Sequence, residues 1–274
     1  MGKVMAIQPA VPHTPGTWRL IYFDAPNRGE QVRMLFSLAK VDFVDVRISQ
    51  YPEGLNPYKT AAMGDASPLR GTDKCPAVTA PDGTHFVETS EIMKIVGERV
   101  GLGAGTANEE LAMRATLKAQ ELINTVFYAL MRPVVTQRVL RRFSLPLTGL
   151  RCLEPCLGAG AASTKKGVAA MFSHLPTIEA LLEEVDGPYV CGASFTYADV
   201  ALFCTLHQCL SMHVFRMPRT LDPFPKTKAF YTTMESVAEL HFQTRVAKQL
   251  GYRDGIDFLA VQNTPFPWYK NKQK

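Results

Sequence analysis

Tyr22 and Arg28 form the first pair in the chain whose residue types and spacing suit chemistry. They flank the bend in LIYFDAPNRGE, where an apolar strand ends at the tyrosine and a helix follows. A phenol at a strand end can donate a hydrogen bond to sulfur, and this stabilises the thiolate, which is the nucleophilic form of a thiol. The alternative interpretation is structural, with Tyr22 as a strand-end aromatic residue and Arg28 as a solvated residue of the first helical turn.

The energy that such a site needs is modest. Lowering a thiol pKa by about two units from its ordinary value of about 8.5 takes roughly 2.7 kcal/mol. One short hydrogen bond together with the field of a helix N-terminus can supply this amount. Arg28 is placed either to orient the site or to pair with Glu30.

Cys75 and Pro76 open a short apolar strand in KCPAV. Proline forfeits a hydrogen-bond donor in a strand. One explanation is a cis Cys75–Pro76 peptide bond, which turns the backbone N–H and C=O of Cys75 toward a peptide-like ligand. Otherwise Pro76 is an ordinary edge residue. No second cysteine lies nearby in the sequence, which favours a packed thiol at Cys75 over a redox group.

Two further stretches mark helix starts. In VETSE, Thr89 follows Glu88 as a predicted N-cap, and the exposed N–H groups there suit a carboxylate, unless this is a plain helix cap. In FTYADV, Thr196 and Asp199 have the spacing of an N-capping box, which indicates folding rather than chemistry.

The elements that must position these residues divide the chain in two. Residues 18–103 show the order strand, helix, strand, hairpin, helix, which is typical of a thioredoxin-like α/β domain. Strand patterns then disappear, and residues 107–262 are predicted to be an all-helical domain with a Gly/Ala-rich loop insertion at 144–166. Residues 1–17 are predicted to be a disordered leader and residues 263–274 a tail.

Composition narrows the class of protein. The chain has 274 residues, 46% of them hydrophobic, and a net charge of +5, which is too weakly basic to indicate nucleic-acid binding. No apolar run approaches the roughly 18 residues of a membrane span. The six cysteines lack CxxC or metal-type spacing, which predicts no metal and a reducing compartment, the cytoplasm by default. The basic run Arg138–Phe143 is interpreted as a solvated helix face, or else as a patch for anionic substrates or a membrane surface.

Together and in this order, these stretches resemble the cytosolic glutathione S-transferases, and most nearly the sigma-like class that includes the glutathione-dependent prostaglandin D synthases. The resemblance spans residues 18–247 and implies a thioredoxin-like domain followed by an all-helical domain, a glutathione transferase activity and a homodimer. The motifs that carry it are Tyr22-Phe23, Arg28-Gly29-Glu30, Lys74-Cys75-Pro76, Glu88-Thr89 and the box at Thr196 and Asp199.

The resemblance also implies roles for individual residues. Tyr22 and Arg28 would be catalytic, with the phenol hydrogen-bonded to a glutathione thiolate that attacks a small, largely apolar electrophile. The residues implied to bind glutathione are Tyr22, Arg28, Tyr51, Lys59, Lys74, Cys75, Pro76, Glu88 and Thr89. The implied walls of the electrophile pocket are Phe127, Tyr128, Met131 and Arg132. Gln120 or Glu121, from the first long helix of a second subunit, would complete the site.

Three positions depart from the family pattern. Tyr51 stands where the family has Trp, Glu88 where it has Gln and Thr89 where it has Ser. An acid at position 88 must pair with the amine of the γ-glutamyl group and not face its carboxylate. Two other functions stay open, a glutathione-dependent isomerase and a scaffold that has lost activity. A cysteine-based reductase is disfavoured because no cysteine lies in the turn after the first strand.

Overall fold

We describe a computed structural model, which covers residues 11–23, 26–48, 56–59, 68–69, 74–127, 129, 154–210 and 219–243. Its first half contains β1 (Trp18–Phe23), α1 (Arg28–Leu38), β2 (Phe43–Ile48), α2 (Asn56–Lys59), β3 (Ala77–Thr79), β4 (His85–Val87) and α3 (Thr89–Arg99). Its second half contains α4 (Glu109–Leu122), a π-helical turn (Ile123–Phe127), α5 (Glu154–Glu183), α6 (Tyr197–Leu210), a 3₁₀ turn (Arg219–Leu221) and α7 (Pro225–Phe242).

The four strands form one mixed sheet in the order β2-β1-β3-β4. β1 is parallel to β2, and β3 is antiparallel to both β1 and β4. A parallel pair needs a crossover connection, which α1 supplies, and the Pro-Asp-Gly segment closes the hairpin. The predicted fold class, an α/β thioredoxin-like half followed by a helical half, is confirmed.

One apolar core runs through both halves. Leu20 and Tyr22 of β1 belong to this main core, whereas Ile21 belongs to a smaller cluster, because side chains alternate between the two faces of a strand. At Gly97, α3 approaches α6 so closely that a Cβ atom would lie 2.6 Å from the Cβ of Tyr197. Every residue of α6 is buried, so this helix is the centre of the helical half.

The predicted capping box at the start of α6 is present. The Asp199 carboxylate accepts hydrogen bonds from the backbone N–H groups of Thr196 and Val190, each at 2.7 Å. Burial raises the pKa of Asp199 to about 6, although these donors favour its charged form. The carboxylate therefore joins the preceding loop to the first turn of α6.

The predicted disordered leader is wrong for residues 11–17. The backbone N–H of Val11 donates to the Tyr58 hydroxyl at 3.0 Å, and the Arg19 guanidinium donates to the Val11 carbonyl oxygen at 2.7 Å. Side chains distant in sequence thus hold this segment, an effect that its proline-rich composition does not reveal. Residues 1–10 lie outside the described residues.

The predicted loop at 144–166 is also wrong in part, because α5 begins at Glu154. The alanines of this stretch are strong helix formers, whereas each glycine costs only about 1 kcal/mol. Pro155 lies in the first turn, where proline is tolerated. Residues 144–153 and the predicted tail at 263–274 lie outside the described part of the chain.

Candidate active site

A pocket of about 580 Å³ lies between the first half of the chain and α4. Six of the nine residues predicted to bind glutathione line it, namely Tyr22, Arg28, Lys74, Cys75, Glu88 and Thr89. The other lining residues are Phe23, Ser90, Leu117, Gln120 and Asn124. The fold therefore brings together motifs that are far apart in the sequence.

Tyr22 lies at the end of β1, with only 4% of its surface exposed. Gly29, in the first turn of α1, lies directly against its ring, because a Cβ atom there would be 2.1 Å from Cδ1 and 2.4 Å from Cγ of the tyrosine. The guanidinium of Arg33 lies 5.7 Å from the ring centroid. Tyr22 is thus both a core aromatic residue and part of the pocket wall. The structural and the chemical interpretations of this tyrosine are therefore compatible.

Arg28 bridges the two walls of the pocket. Its guanidinium donates to Oδ1 of Asn124 at 2.6 Å. Asn27, the residue before it, has a φ of 60° and a ψ of −139°, a conformation outside the left-handed helical region that is unfavourable for a residue with a side chain. The turn that ends β1 is therefore joined to the helical half on the pocket side.

Glu30, which the sequence offers as a partner for Arg28, takes partners inside the core. Its carboxylate lies 3.2 Å from Nη1 of Arg33 and 2.7 Å from Nε2 of His241, and all three side chains are fully buried. Burial alone would raise the pKa of Glu30, but the hydrogen bonds and charges of His241 and Arg33 hold it below its ordinary value. This cluster connects α1 to α7.

The Cys75–Pro76 peptide bond is cis. Cys75 borders the pocket, while Pro76 beside it is buried. Burial raises the pKa of the Cys75 thiol to about 12, although the charge of Arg28 opposes this shift. A thiol with this pKa is protonated at neutral pH, which agrees with the packed-thiol interpretation.

At the start of α3, the prediction of Thr89 as N-cap is wrong by one residue. The helix begins at Thr89, so Glu88 occupies the N-cap position, with a φ of 69° and no capping hydrogen bond from its side chain. The Glu88 carboxylate instead pairs with Nζ of Lys74 at 2.5 Å, and the two side chains are 53% and 68% exposed. Exposed ion pairs contribute little stability, so a charged ligand can compete with this one.

The helical wall of the pocket is formed by Leu117, Gln120 and Asn124. The sequence did not predict that these residues line the pocket of their own chain. Gln120, which with Glu121 is one of the two residues that the resemblance implies for the site of a second subunit, lies in the pocket of its own chain and donates to Oε1 of Gln31 at 3.1 Å. The spacing of three and four residues is the only signal that could have found this wall, because it places one helix face toward the first half.

Phe127, predicted to line the electrophile pocket, lies instead in the main core and is 2% exposed. In a continuous α-helix it would follow Asn124 on the pocket side. The π-helical turn Ile123–Phe127 holds more residues per turn, which rotates later positions off that face. The other predicted positions outside the described residues are Tyr51, the side chain of Lys59, Tyr128, Met131, Arg132 and Arg138–Phe143.

Neither a metal site nor a membrane span is found in the described ranges. No group of three or more His, Cys, Asp or Glu side chains there is placed to hold a metal ion. None of the helices described above has both the length and the apolar character needed to cross a bilayer.

Comparison with known proteins places the fold. The family described as glutathione S-transferase, C-terminal domain, matches residues 165–241. The sigma class glutathione S-transferase of Fasciola hepatica is similar over 82% of this chain and 92% of its own, with 21% identity and a TM-score of 0.55. The chain has the glutathione S-transferase fold.

Two bacterial glutathione S-transferase structures are also similar to this chain. A glutathione S-transferase from Rhodospirillum rubrum covers 93% of this chain and 97% of its own, with 16% identity and a TM-score of 0.56. One from Methylobacillus flagellatus, with glutathione bound, covers 85% and 98%, with 17% identity and a TM-score of 0.52. No curated protein matches the chain. At this identity the glutathione S-transferase fold alone is established, so a function has to be argued from the pocket residues.

Proposed function

We propose that this chain is a glutathione transferase in which Tyr22 stabilises the glutathione thiolate. The observation that carries the proposal is the convergence of Tyr22, Arg28 and the cis Cys75–Pro76 segment on one pocket. The described residues thus combine a phenol, a cation and a backbone segment at the edge of the sheet, which suit the activation of a thiol within a peptide-like ligand.

In the proposed reaction the phenol of Tyr22 donates a hydrogen bond to the glutathione sulfur. Arg28 and the N-terminus of α1 add positive potential at the same place. Together they favour the thiolate, and the thiol proton passes to solvent. The sulfur then attacks an electrophilic carbon of the second substrate, a C–S bond forms, and the leaving group departs with its electron pair.

Glutathione is proposed to lie along the first half of the chain. Its cysteinyl backbone pairs with the N–H and C=O of Cys75. The γ-glutamyl amine meets the Glu88 carboxylate, while the γ-glutamyl carboxylate meets the N–H groups at the start of α3, beside Thr89. Lys74 exchanges its contact with Glu88 for one with the ligand. Tyr51 and Lys59 are proposed as further contacts.

The test is conjugation of glutathione to a chlorinated nitroarene by the purified chain. Tyr22→Phe removes only the hydroxyl, and loss of the whole stabilisation of roughly 2.7 kcal/mol corresponds to a rate loss of up to about 25-fold at pH 7 and up to about 100-fold below about pH 5.5. Tyr231→Phe is the matched control, because Tyr231 is buried and bonded to His207 at 2.7 Å, outside the pocket. A Tyr22→Phe variant with the wild-type rate would overturn the mechanism.

A second candidate, a scaffold without activity, is favoured by one observation. Glu88 stands at the proposed γ-glutamyl position and already holds Lys74 at 2.5 Å. A scaffold predicts no retention on immobilised glutathione and no conjugation. Glu88→Gln separates the two proposals, because in a transferase it changes the KM for glutathione, whereas in a scaffold it changes neither binding nor rate.

Class, assembly and location are parts of the same proposal. We assign the chain to the sigma-like class on its Tyr22 and Arg28 motifs, and an isomerase of the prostaglandin D synthase type would use the same thiolate. Residues 18–103 form the glutathione-binding domain of a cytoplasmic homodimer, which light scattering on the purified chain tests. The cysteines that the structure describes, Cys75, Cys191, Cys204 and Cys209, are thiols rather than disulfides, which suits a reducing compartment.

A further inference from the structure

Gln208 is a buried residue of α6 that lies outside the pocket but contacts the turn at its edge. Its Oε1 accepts the backbone N–H of Asn27 at 2.6 Å, and its Nε2 donates to the Asn27 carbonyl oxygen at 3.1 Å. The side chain is fully buried. One amide thus binds both backbone polar groups of a residue 181 positions away in the sequence.

The residue that Gln208 holds is the one that sets the geometry of the turn. Asn27 has a φ of 60°, an unfavourable conformation that persists only where surrounding contacts maintain it. The next two residues are Arg28, which lines the pocket, and Gly29, which lies against the ring of Tyr22. A displacement of Asn27 therefore moves both Arg28 and the glycine against which the ring of Tyr22 lies.

We infer that Gln208 is a positioning residue for thiol activation, acting from the helical half through the backbone of Asn27. The inference rests on the proposed function. Gln208 touches neither glutathione nor the electrophile. Its two hydrogen bonds fix the Asn27–Gly29 turn, so that Arg28 and Tyr22 meet the sulfur in one arrangement.

A neighbouring contact provides the matched control. Thr205, also on α6 and fully buried, accepts a hydrogen bond from Nε2 of Gln31 at 2.9 Å. This bond joins the same two helices but reaches α1 beyond the turn. Thr205→Val removes one buried hydrogen bond without releasing Asn27, so it reproduces the structural cost of losing a contact in this interface.

The first measurement is the pH dependence of conjugation by Gln208→Met, which keeps the side-chain volume and loses the amide. If the variant loses half of a two-unit lowering of the glutathione thiol pKa, the apparent thiol pKa rises by about one unit. At pH values below the wild-type pKa, kcat then falls about tenfold. At pH values above about 9 the thiol ionises unaided, so the variant rate approaches that of the wild type. We expect the KM for glutathione to change by less than about threefold, since uniform binding is retained.

The pH profile separates positioning from general damage. A purely structural role would lower the rate by the same factor at every pH, and Thr205→Val is expected to keep the wild-type profile. A wild-type profile in Gln208→Met would overturn the inference. Gln208→Leu, which packs differently, provides the same test if the methionine variant does not fold.

Amide hydrogen exchange at Asn27 gives a second readout that needs no activity. Gln208→Met is expected to raise the exchange rate at this amide by about tenfold or more, because the side-chain acceptor at 2.6 Å is removed, while Thr205→Val leaves the rate unchanged. Unchanged exchange in Gln208→Met would overturn the inference. Increased exchange in Gln208→Met, found together with a wild-type chain that conjugates nothing, would instead overturn the proposed function, because Gln208 would then hold the turn without a thiol to activate.

Discussion

Gly29→Ala is the perturbation that most sharply tests how the phenol is seated. A Cβ atom at this position would lie 2.1 Å from Cδ1 of Tyr22 and 2.4 Å from Cγ. Carbon atoms in contact are separated by about 3.5–4.0 Å, so the ring must retreat by roughly 1.5 Å. The phenol then lies beyond hydrogen-bonding distance of a sulfur placed for the wild-type ring.

The expected loss is large in rate and small in stability. A misplacement of about 1 Å at a reacting centre can cost up to about 100-fold, so kcat/KM for conjugation is expected to fall to about the level of Tyr22→Phe. Alanine gains about 1 kcal/mol in helix propensity over glycine, whereas overpacking costs about 1–3 kcal/mol. The free energy of unfolding is therefore expected to change by less than about 2 kcal/mol, and the variant remains folded.

A double-mutant cycle decides whether the loss passes through the phenol. Conjugation is measured for Gly29→Ala, Tyr22→Phe and the double variant. Because both substitutions remove the same hydrogen bond, the double variant is expected to be about as slow as Tyr22→Phe alone. Full wild-type activity in Gly29→Ala, or an undiminished loss in the Tyr22→Phe background, would refute the seating of Tyr22 by α1.

Three further predictions concern the buried groups Cys75, Glu30 and Asp199. Burial raises the pKa of Cys75 from 9.0 to about 12, so its thiolate fraction at neutral pH is about a thousandfold smaller than that of an ordinary thiol. Alkylation of Cys75 by iodoacetamide should therefore be slow and rise about tenfold per pH unit. Labelling as fast as that of free glutathione would contradict the raised pKa. His241→Ala leaves the buried Glu30 with one partner fewer and should lower the free energy of unfolding in urea by about 3–5 kcal/mol. Because the pKa of Glu30 is lowered in the fold, its ionisation stabilises the protein above its ordinary pKa of 4.5 and this contribution is lost in acid. A cost of His241→Ala that does not shrink with falling pH would therefore contradict the pairing of His241 with Glu30. Asp199→Ala leaves two buried N–H groups without their acceptor and should destabilise the chain by about 2–4 kcal/mol, whereas a change within about 0.5 kcal/mol would show that the box at α6 has no structural role.

The first half of the fold could be predicted because its signals are local. Alternating apolar residues, a Pro-Asp-Gly hairpin and the spacing from Tyr22 to Arg28 are all visible within short windows of sequence. The capping box of Thr196 and Asp199 is equally local, and its hydrogen bonds are present in the structure. The grouping of six of the nine predicted glutathione-binding residues around one pocket then follows from the order of strands and helices.

The parts that could not be predicted depend on contacts between distant segments. The hydrogen bonds of Gln208 to Asn27 cannot be predicted from periodicity or composition. In the sequence, a single glutamine within an apolar helix only weakens the apolar pattern of that helix. The position of Phe127 in the main core is equally hidden, because a π-helical turn cannot be seen in residue spacing. The leader residues near Val11 are held by Tyr58 and Arg19, which no local pattern encodes.

The most direct test of the central claim is the pKa of glutathione's thiol when bound to the chain, followed by the ultraviolet absorbance of the thiolate. Stabilisation by Tyr22 together with Arg28 and the N-terminus of α1 predicts a bound thiol pKa about two units below the ordinary value of about 8.5, and a rise by at least about one unit in Tyr22→Phe. A bound thiol whose pKa is the same in the wild type and in Tyr22→Phe would contradict the role assigned to the phenol.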